Sequence, residues 1–355
     1  MKLVWHADPD GLVERDWLRY IFGGLVEAEI PDLDLTCFDD GAIHVVSSNW
    51  SPLPAYERYF TECRARCKRI VLVHVSDEWF SGGYRLYRHF DLVLRWNHTY
   101  LANGSGIVTV PLGYPNETGN SMRPADQRQF AWSFIGAIKS SRTAMAAAFN
   151  GFAPQFVTIT DPHAQANPKK LSKREFDAVL EDTVFVPCPM GNATIDTGRV
   201  YEGLEFGCIP LVELRISLDY YRNLFGPNPI PAFRDWSAAR RFAETLYSDK
   251  SSLLAKQAEI SSWWQSYKAQ MCSQVREVIR GASRGLELQH YADKLRNRVA
   301  LAHEPLRIIE ILRHQTAGSV LRRLRRPAGP LTRIVADTSG GKLALPASVL
   351  IRDRR

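Results

Sequence analysis

An arginine and two glutamates stand at three-residue intervals in the segment GRVYEGLEF, which begins at Gly198. Residues three or four positions apart share one face of a helix, so Arg199 and Glu202 are expected to be neighbours. A helix N-terminus beside an arginine suits a diphosphate, because backbone N–H groups and a guanidinium both donate to phosphate oxygens. A carboxylate one turn further can accept hydrogen bonds from both ribose hydroxyls. The segment predicts a nucleotide site, although a surface ion pair has the same spacing.

The residues around this helix predict where it begins and ends. Asp196 or Thr197 is the expected N-cap, and Gly207 is the expected C-terminal stop. The preceding stretch, CPMGNATIDT, is typical of a strand end followed by a small-residue loop, and the following stretch, CIPLVEL, is typical of a buried strand. Ligands of open parallel sheets bind beyond the carboxyl ends of the strands, where helix N-termini point. Arg199 is therefore expected at such an edge.

Strand-like and helix-like segments alternate along the first third of the chain. The expected strands are KLVWHA, LDLTCF, AIHVVSS, RIVLVHVS, FDLVLRW and GIVTVPLGYP, and the expected helices are LVERDWLRYIFGGL and LPAYERYFTECRARC. The run RIVLVHVS is continuously apolar, as in a strand that helices cover on both faces. This alternation predicts an α/β fold with a parallel sheet.

The same alternation restarts after a polar stretch, Gly113–Gln129, which is rich in turn residues and predicts an interdomain linker. The expected order of elements is strand FAWSFIGAI, helix SRTAMAAAF, strand QFVTIT, helix KREFDAVLEDT, strand VFVPCP, helix GRVYEGLEF and strand IPLVEL. Residues 236–279 are expected to be mostly helical, with Trp263 and Trp264 packed inside. Two Rossmann-like halves joined by a linker predict a cleft between domains.

Length and composition agree with a folded protein of two domains. The chain has 355 residues, 45% of them hydrophobic and 11% aromatic. These values are those of a globular protein and exclude a disordered one. The six scattered cysteines lack the spacing of a zinc site and predict reduced thiols. Neither a signal peptide nor a transmembrane stretch is recognisable, so a cytoplasmic location is expected.

Positive charge is concentrated near the C-terminus. The net charge is +7, and the segments LRRLRRPAGPLTR and IRDRR carry much of it. Such a tail predicts an anionic partner, such as the inner face of a membrane, where the protein would bind peripherally. A solvated basic tail that contacts nothing is the alternative.

The segment VFVPCPMGNATIDTGRVYEGLEFGCIPLV resembles the signature of exostosin-type glycosyltransferases. That signature has a strand, then C-P-x-G, a D-[ST]-x-R-x-x-E core and a G-C-I-P ending. The matching residues are Cys188, Pro189, Gly191, Asp196, Thr197, Arg199, Glu202, Gly207, Cys208, Ile209 and Pro210. The segment WSFIGAIKSSR resembles the F-x-G strand and loop that open the nucleotide-binding domain of the same family. The segment VPLGYPNETG is similar to the entry of that domain in ribitol xylosyltransferase-like members, and the resemblance covers roughly residues 110–214.

The resemblance implies a GT-B enzyme with two Rossmann-like domains and no metal. The implied domains are an acceptor-side domain (1–115), a nucleotide-sugar domain (116–285) and a basic helical tail (286–355). Arg199 would contact the diphosphate of a UDP-sugar and Glu202 its ribose. The other implied donor-binding residues are Gly136, Lys139, Ser140, Arg142, Pro189, Gly191, Asp196 and Thr197. Fixed cations and helix dipoles can stabilise a nucleoside diphosphate leaving group without magnesium or another cofactor.

An inverting transfer needs one group that deprotonates the acceptor hydroxyl, and the N-terminal half offers several. Asp77 and Glu78 follow the buried strand RIVLVHVS and are the leading candidates; Asp8 and Asp10 follow the first strand. His74 lies at the end of the same buried strand, and Arg95 and His98 follow another. Each of these could equally be a helix cap or a solvated loop residue. The tripeptides DPD and DLD match the D-x-D of metal-dependent transferases, but the pattern is too common to indicate a metal.

The sequence therefore predicts an inverting glycosyltransferase that uses a nucleotide-sugar donor and a glycan or lipid-linked acceptor in surface polysaccharide or glycoconjugate synthesis. Two alternatives remain open. A sugar-nucleotide epimerase of the same fold would turn over its substrate without an acceptor. A non-catalytic sugar-nucleotide binding protein would tolerate replacement of every candidate base.

Overall fold

The computed structural model describes residues 1–47, 53–77, 84–97, 106–138, 141–160, 171–191, 194–214 and 220–281. These residues form two parallel β-sheets with helices packed on them. The strands are β1 (Lys2–Trp5), β2 (Ala28–Pro31), β3 (Ile43–Ser47), β4 (Val71–Val75), β5 (Leu92–Arg95), β6 (Ile107–Thr109), β7 (Phe130–Gly136), β8 (Gln155–Ile159), β9 (Thr183–Cys188), β10 (Ile209–Glu213) and β11 (Ala232–Phe233). The helices are α1 (Arg15–Phe22), α2 (Leu53–Arg66), α3 (Arg142–Phe149), α4 (Lys173–Glu181), α5 (Gly198–Glu205), α6 (Tyr220–Phe225), α7 (Trp236–Ser248) and α8 (Lys250–Arg280).

The first sheet has the order β2-β1-β3-β4-β5-β6, and all its neighbouring strands are parallel. Successive side chains of a strand point to opposite faces, so the buried residues of β3 divide between two apolar clusters. Val45 packs with Trp5 and the residues of α1, whereas Val46 packs with Phe60 of α2. Burial on both faces explains why β4 reads as a continuous apolar run.

The second sheet has the order β11-β10-β9-β7-β8, again with parallel neighbours. Its central strands β9 and β10 are buried along their whole length. The two parallel sheets confirm the predicted α/β class. The predicted domain boundaries at residues 115 and 285 stay a prediction, and the predicted basic tail lies outside the described residues.

One expected strand is wrong. The stretch LDLTCF (Leu33–Phe38) is a loop, and the strand that pairs with β1 lies earlier, at β2. Asp32 explains the loop, because its carboxylate accepts hydrogen bonds from Thr36 N at 2.8 Å and from Cys37 N at 2.9 Å. A short acidic side chain that binds the backbone a few residues ahead favours a turn over a strand.

The long helix α8 joins the two halves of the molecule. Near its middle, Lys268 Nζ lies 2.6 Å from Glu205 Oε1, and both side chains are buried. Trp264 of α8 donates to the same Glu205 oxygen at 2.9 Å and stacks on Trp17 of α1. Further along, Arg276 Nε donates to Ile21 O at 2.9 Å. The expected packing of the tryptophans is therefore correct, and it ties the first sheet's helix α1 to the second half.

All six cysteines are free, and five of them are buried. In the part of the chain that the structure describes, every helix is too short or too polar to cross a bilayer.

Candidate functional site

Helix α5 has the boundaries that its sequence predicts. Thr197 is the N-cap residue in an extended conformation, although its side chain makes no capping hydrogen bond. At the other end, Gly207 has a φ of +59°, which favours glycine. Gly207 N donates to Leu204 O at 3.2 Å, and Cys208 N donates to Gly203 O at 2.8 Å. This Schellman ending turns the chain directly into β10, so the helix N-terminus lies at the carboxyl edge of the second sheet.

Two arginines meet above the bare backbone of Gly136, where β7 ends. A Cβ at Gly136 would lie 3.2 Å from Arg199 Nη2 and 3.7 Å from Arg142 Nη1. The Arg199 guanidinium carbon lies 4.5 Å from the centroid of the Phe134 ring, and its Nη2 donates to Ile135 O at 2.7 Å. Arg142 Nη1 donates to Ala137 O at 3.1 Å. The absent side chain at position 136 leaves space for both guanidinium groups.

Arg199 and Glu202 share a helix face but form no ion pair within 4.0 Å, and both of them lie in the described ranges. Arg199 instead turns towards β7, and Glu202 is half-buried. Burial raises the pKa of the Glu202 carboxyl, and the charges of Arg199 and Lys173 oppose that shift. Burial also lowers the pKa of Arg199. The two side chains therefore interact electrostatically without forming a direct ion pair.

The other two residues of the matched core have different environments. Asp196 is 3% exposed and accepts hydrogen bonds from Tyr201 OH at 2.8 Å and from Tyr220 OH at 3.2 Å. Burial raises the pKa of Asp196 to about 6, and backbone N–H groups of Leu112 and Thr197 oppose the shift. Asp196 therefore fastens the interdomain segment to α5. The Thr197 hydroxyl is buried and has no partner among the described residues.

Glu213, which sequence reasoning missed, connects the two loops that flank the arginines. Its Oε2 accepts from Ser141 Oγ at 2.6 Å, in the loop after β7. The same oxygen accepts from Met190 N at 3.0 Å, in the loop after β9. Met190 lies between Pro189 and Gly191, both buried. An acidic residue ending the otherwise apolar strand IPLVE was the signal that could have indicated this role. Lys139 and Ser140, predicted to contact phosphates, lie outside the described residues.

Asp77, one of the two leading candidates for the base, lies inside the protein and is paired with an arginine. Asp77 is fully buried, and its Oδ2 accepts from Arg95 Nη2 at 2.8 Å. Arg95 is 1% exposed and also lies 3.4 Å from Tyr87 OH. His74 Nδ1 is hydrogen-bonded to the same Tyr87 hydroxyl. A carboxylate paired inside the protein with an arginine is stabilised in its ionised form and shielded from an acceptor.

The remaining candidates lie on the surface or outside the described ranges. Asp8 is exposed, and its Oδ1 accepts from Asp10 N at 3.0 Å, which caps the 3₁₀ turn Pro9–Gly11. Asp10 is exposed and ion-paired with Arg15. Glu78 and His98 fall among the residues that the structure does not describe. Asp8 and Asp10 are thus engaged in local structure at the end of β1.

The segment that links the two halves brings both carboxyl edges together. Asn116 N donates to Val13 O at 2.8 Å, in the loop between β1 and α1. The neighbouring Pro115 lies against the start of α5, because a Cβ at Gly198 would be 3.3 Å from its ring. The loop between β1 and α1 therefore approaches the N-terminus of α5.

The described ranges include His, Cys, Asp and Glu side chains from both halves of the molecule. No group of three or more His, Cys, Asp or Glu residues there could hold a metal ion. The two D-x-D tripeptides have different environments. Asp8 and Asp10 are exposed, whereas the Asp32 carboxylate accepts a hydrogen bond from Thr36 N in its own loop.

Two parallel α/β sheets, with Arg142 and Arg199 at the carboxyl edge of the second, agree with the two-domain α/β fold that the sequence predicts. Residues 112–282, just under half of the chain, match the family described as the RXYLT1 C-terminal domain. The match confirms the predicted resemblance to ribitol xylosyltransferase-like, exostosin-type enzymes over this part of the chain. No curated protein matches the chain.

Among solved structures, the crystal structure of an α1,3-fucosyltransferase is similar. It is 11% identical, has a TM-score of 0.48, and is covered over 91% of its length by 80% of this chain.

Proposed function

We propose that the protein transfers a sugar, with inversion, from a nucleoside-diphosphate donor to a hydroxyl of a glycan acceptor, and that the nucleotide is UDP. One observation carries the proposal: Arg142 and Arg199 meet over Gly136 at the carboxyl edge of the second sheet, beside the half-buried Glu202. Two fixed guanidinium groups suit a diphosphate, whose negative charge grows as it leaves the sugar.

The donor would lie across the N-terminus of α5. Arg199 and Arg142 would donate to the diphosphate oxygens, and the buried Thr197 hydroxyl, which has no partner among the described residues, would add a third donor. Glu202 would accept from the ribose hydroxyls, one helical turn away from the phosphates. Glu213 would hold the loops after β7 and β9 in place around them.

The same arrangement leads us to propose that the transfer needs no metal ion. The developing charge on the leaving diphosphate can be stabilised by the two arginines and the helix N-terminus, which need no reorganisation during the reaction. Transfer should therefore continue in EDTA, and complete loss that manganese restores would contradict this point.

We further propose a glycan acceptor, a role in surface-glycan synthesis and a cytoplasmic location. The matched family is that of a ribitol xylosyltransferase, so a pentose donor and a polyol-containing or other glycan acceptor are reasonable first choices. A cytoplasmic enzyme of surface-glycan synthesis would meet lipid-linked acceptors at the membrane, which the basic tail could approach. Vesicle co-sedimentation of the chain with and without residues 315–355 tests the tail.

A thermal-shift series with UDP, GDP, CDP and UDP-xylose tests the donor proposal. A ligand at 100 times its dissociation constant adds about 2.7 kcal/mol to the stability of the folded protein. UDP should stabilise the wild-type protein more than GDP or CDP does, and the proposal fails if no nucleotide stabilises it. Turnover of UDP-xylose that gives an isomeric UDP-sugar and no free UDP would indicate the epimerase instead. Binding without any turnover would indicate the non-catalytic alternative.

A further inference from the structure

Glu14, immediately before α1, is a buried carboxylate, and one of its two oxygens has no hydrogen-bond partner among the described residues. Its side chain is 4% exposed, and although Glu14 occupies the N-cap position of α1, the side chain makes no capping hydrogen bond. Glu14 Oε1 accepts from Ser76 Oγ at 2.7 Å. Glu14 Oε2 is buried and has no partner among the described residues. Leaving a buried carboxylate oxygen unpartnered costs stability, so the residue is expected to serve another purpose.

Glu14 lies at the carboxyl edge of the first sheet, where a group that contacts the acceptor is expected. Glu14 follows β1 and Ser76 follows β4, so both lie at the carboxyl edge of the first sheet. The adjacent residue Val13 is 59% exposed, and its carbonyl accepts from Asn116 N at 2.8 Å. Pro115, next to Asn116, lies against Gly198 at the N-terminus of α5. Contacts through Val13, Asn116 and Pro115 therefore connect the loop of Glu14 to the N-terminus of α5, where the diphosphate is proposed to bind.

We infer that Glu14 is the general base of the transfer, an inference that rests on the proposed function. The Glu14 carboxylate would take the proton of the acceptor hydroxyl while the hydroxyl oxygen bonds to the anomeric carbon. The bond between that carbon and the β-phosphate oxygen breaks, and the nucleoside diphosphate leaves with the electron pair. The proton on Glu14 then passes to solvent.

The environment of Glu14 suits this task. Burial raises the pKa of the Glu14 carboxyl, and the hydrogen bond from Ser76 opposes the shift. A base with a raised pKa accepts a proton more readily near neutral pH. The neighbouring charges are engaged elsewhere: Arg15 pairs with Asp10 and Asp16, and Asp77 beside Ser76 pairs with Arg95.

The decisive variant is Glu14→Gln, which keeps the shape and the acceptor for Ser76 but cannot take a proton. The probes are UDP for binding and UDP-xylose for turnover, measured as UDP release with and without a panel of glycan acceptors. General bases contribute about 10²- to 10⁴-fold. Turnover should fall at least about 100-fold, whereas the dissociation constant of UDP should stay within about twofold of the wild-type value. Glu27→Gln, at an exposed carboxylate of the same half of the molecule, is the matched control and should retain activity.

A second variant addresses the case in which Glu14→Gln does not fold. Ser76→Ala removes the hydrogen bond that favours the ionised carboxyl, so the acidic limb of the pH profile of kcat/KM should move to higher pH. Glu14→Gln activity within about threefold of wild type, or an unmoved limb in Ser76→Ala, overturns the inference. Wild-type protein that neither binds UDP nor releases it from UDP-xylose overturns the proposed function itself, and the base role with it.

Discussion

Both sheets have charged residues at their carboxyl edges, but the two sets of residues are arranged in opposite ways. At the second sheet, Arg199 and Glu202 lie on one helix face without an ion pair, and both are half-buried. At the first sheet, Asp77 and Arg95 are nearly inaccessible and neutralise each other. The first arrangement keeps charge available for a ligand, and the second uses charge to hold strands β4 and β5 together.

The contrast shows why charged residues at strand ends are not equivalent as site candidates. A buried pair contributes little net stability, yet it is costly to break, because one ion is then left without a partner in a region of low dielectric constant. A cation kept apart from its neighbouring carboxylate holds its hydrogen-bonding capacity for a substrate. The comparison predicts that substitutions at the first edge change folding, whereas substitutions at the second change ligand binding.

The largest effect is expected from Arg95→Met at the first edge. The variant removes the guanidinium that donates to the buried Asp77 carboxylate, which should lower the free energy of unfolding by about 3–5 kcal/mol. Urea denaturation measures it. The double variant Arg95→Met/Asp77→Leu should recover most of the loss, and UDP affinity of the folded fraction should not change. A stability loss below about 1 kcal/mol would mean that the pair is not desolvated as the structure indicates.

The next largest effect is expected from Arg199→Lys at the second edge. Lysine keeps the charge but loses the planar fork that lies on Phe134 and donates to Ile135 O. We expect kcat/KM to fall about 10²- to 10³-fold, as for the loss of one preorganised donor to a developing charge. Stability should change little. Arg234→Lys, at an exposed position of the same half, is the control, and equal losses in the two variants would contradict the assignment.

Glu202→Ala should weaken UDP binding about 10- to 100-fold, because charged hydrogen bonds are worth about 1.5–3 kcal/mol. Isothermal titration with UDP and with 2′-deoxy-UDP separates the ribose contact from other effects. The loss should be smaller for the deoxy nucleotide, which lacks one donor. Glu259→Ala, an exposed carboxylate on α8, should bind both nucleotides like the wild type. A loss of equal size for both nucleotides would place Glu202 away from the 2′-hydroxyl.

The smallest effect concerns the acid stability of the first sheet, where His6 Nε2 lies 2.9 Å from His44 Nδ1 in the core. Burial lowers the pKa of His6 and lowers the pKa of His44 to about 3. The unfolded chain therefore binds protons first, so the stability contributed by neutral histidines is complete above pH of about 6.5 and is lost as pH falls towards 3.

The variant His44→Phe tests this sign. Between pH 6.5 and 5 the wild type should lose about 1–2 kcal/mol more than the variant, since one pKa unit corresponds to about 1.4 kcal/mol. Urea titrations at both pH values measure the difference. Parallel pH dependence in the two proteins would mean that His44 is not the group that acid protonates.

The sequence by itself determined most of the secondary structure and the class of enzyme. The apolar run of β4 and the helical spacing of residues within α5 are local patterns in the sequence. The backbone adopts the corresponding strand or helix because that geometry buries the apolar residues of the pattern. The strand predicted over LDLTCF failed because the hydrogen bond that the Asp32 carboxylate accepts from Thr36 N competed with strand pairing. The core of the proposed donor site was recognisable in the sequence because Asp196, Thr197, Arg199 and Glu202 lie within one stretch of seven residues.

Only the tertiary structure decided which charged residues are available. The sequence does not show that Asp77 meets Arg95, 18 residues away, or that Arg142 meets Arg199 above Gly136. Glu14 becomes a candidate because Ser76, 62 residues away, engages one of its oxygens and burial leaves the other alone. Partners of this kind come from different strands of a sheet, and their approach depends on strand order and packing, which no local pattern encodes.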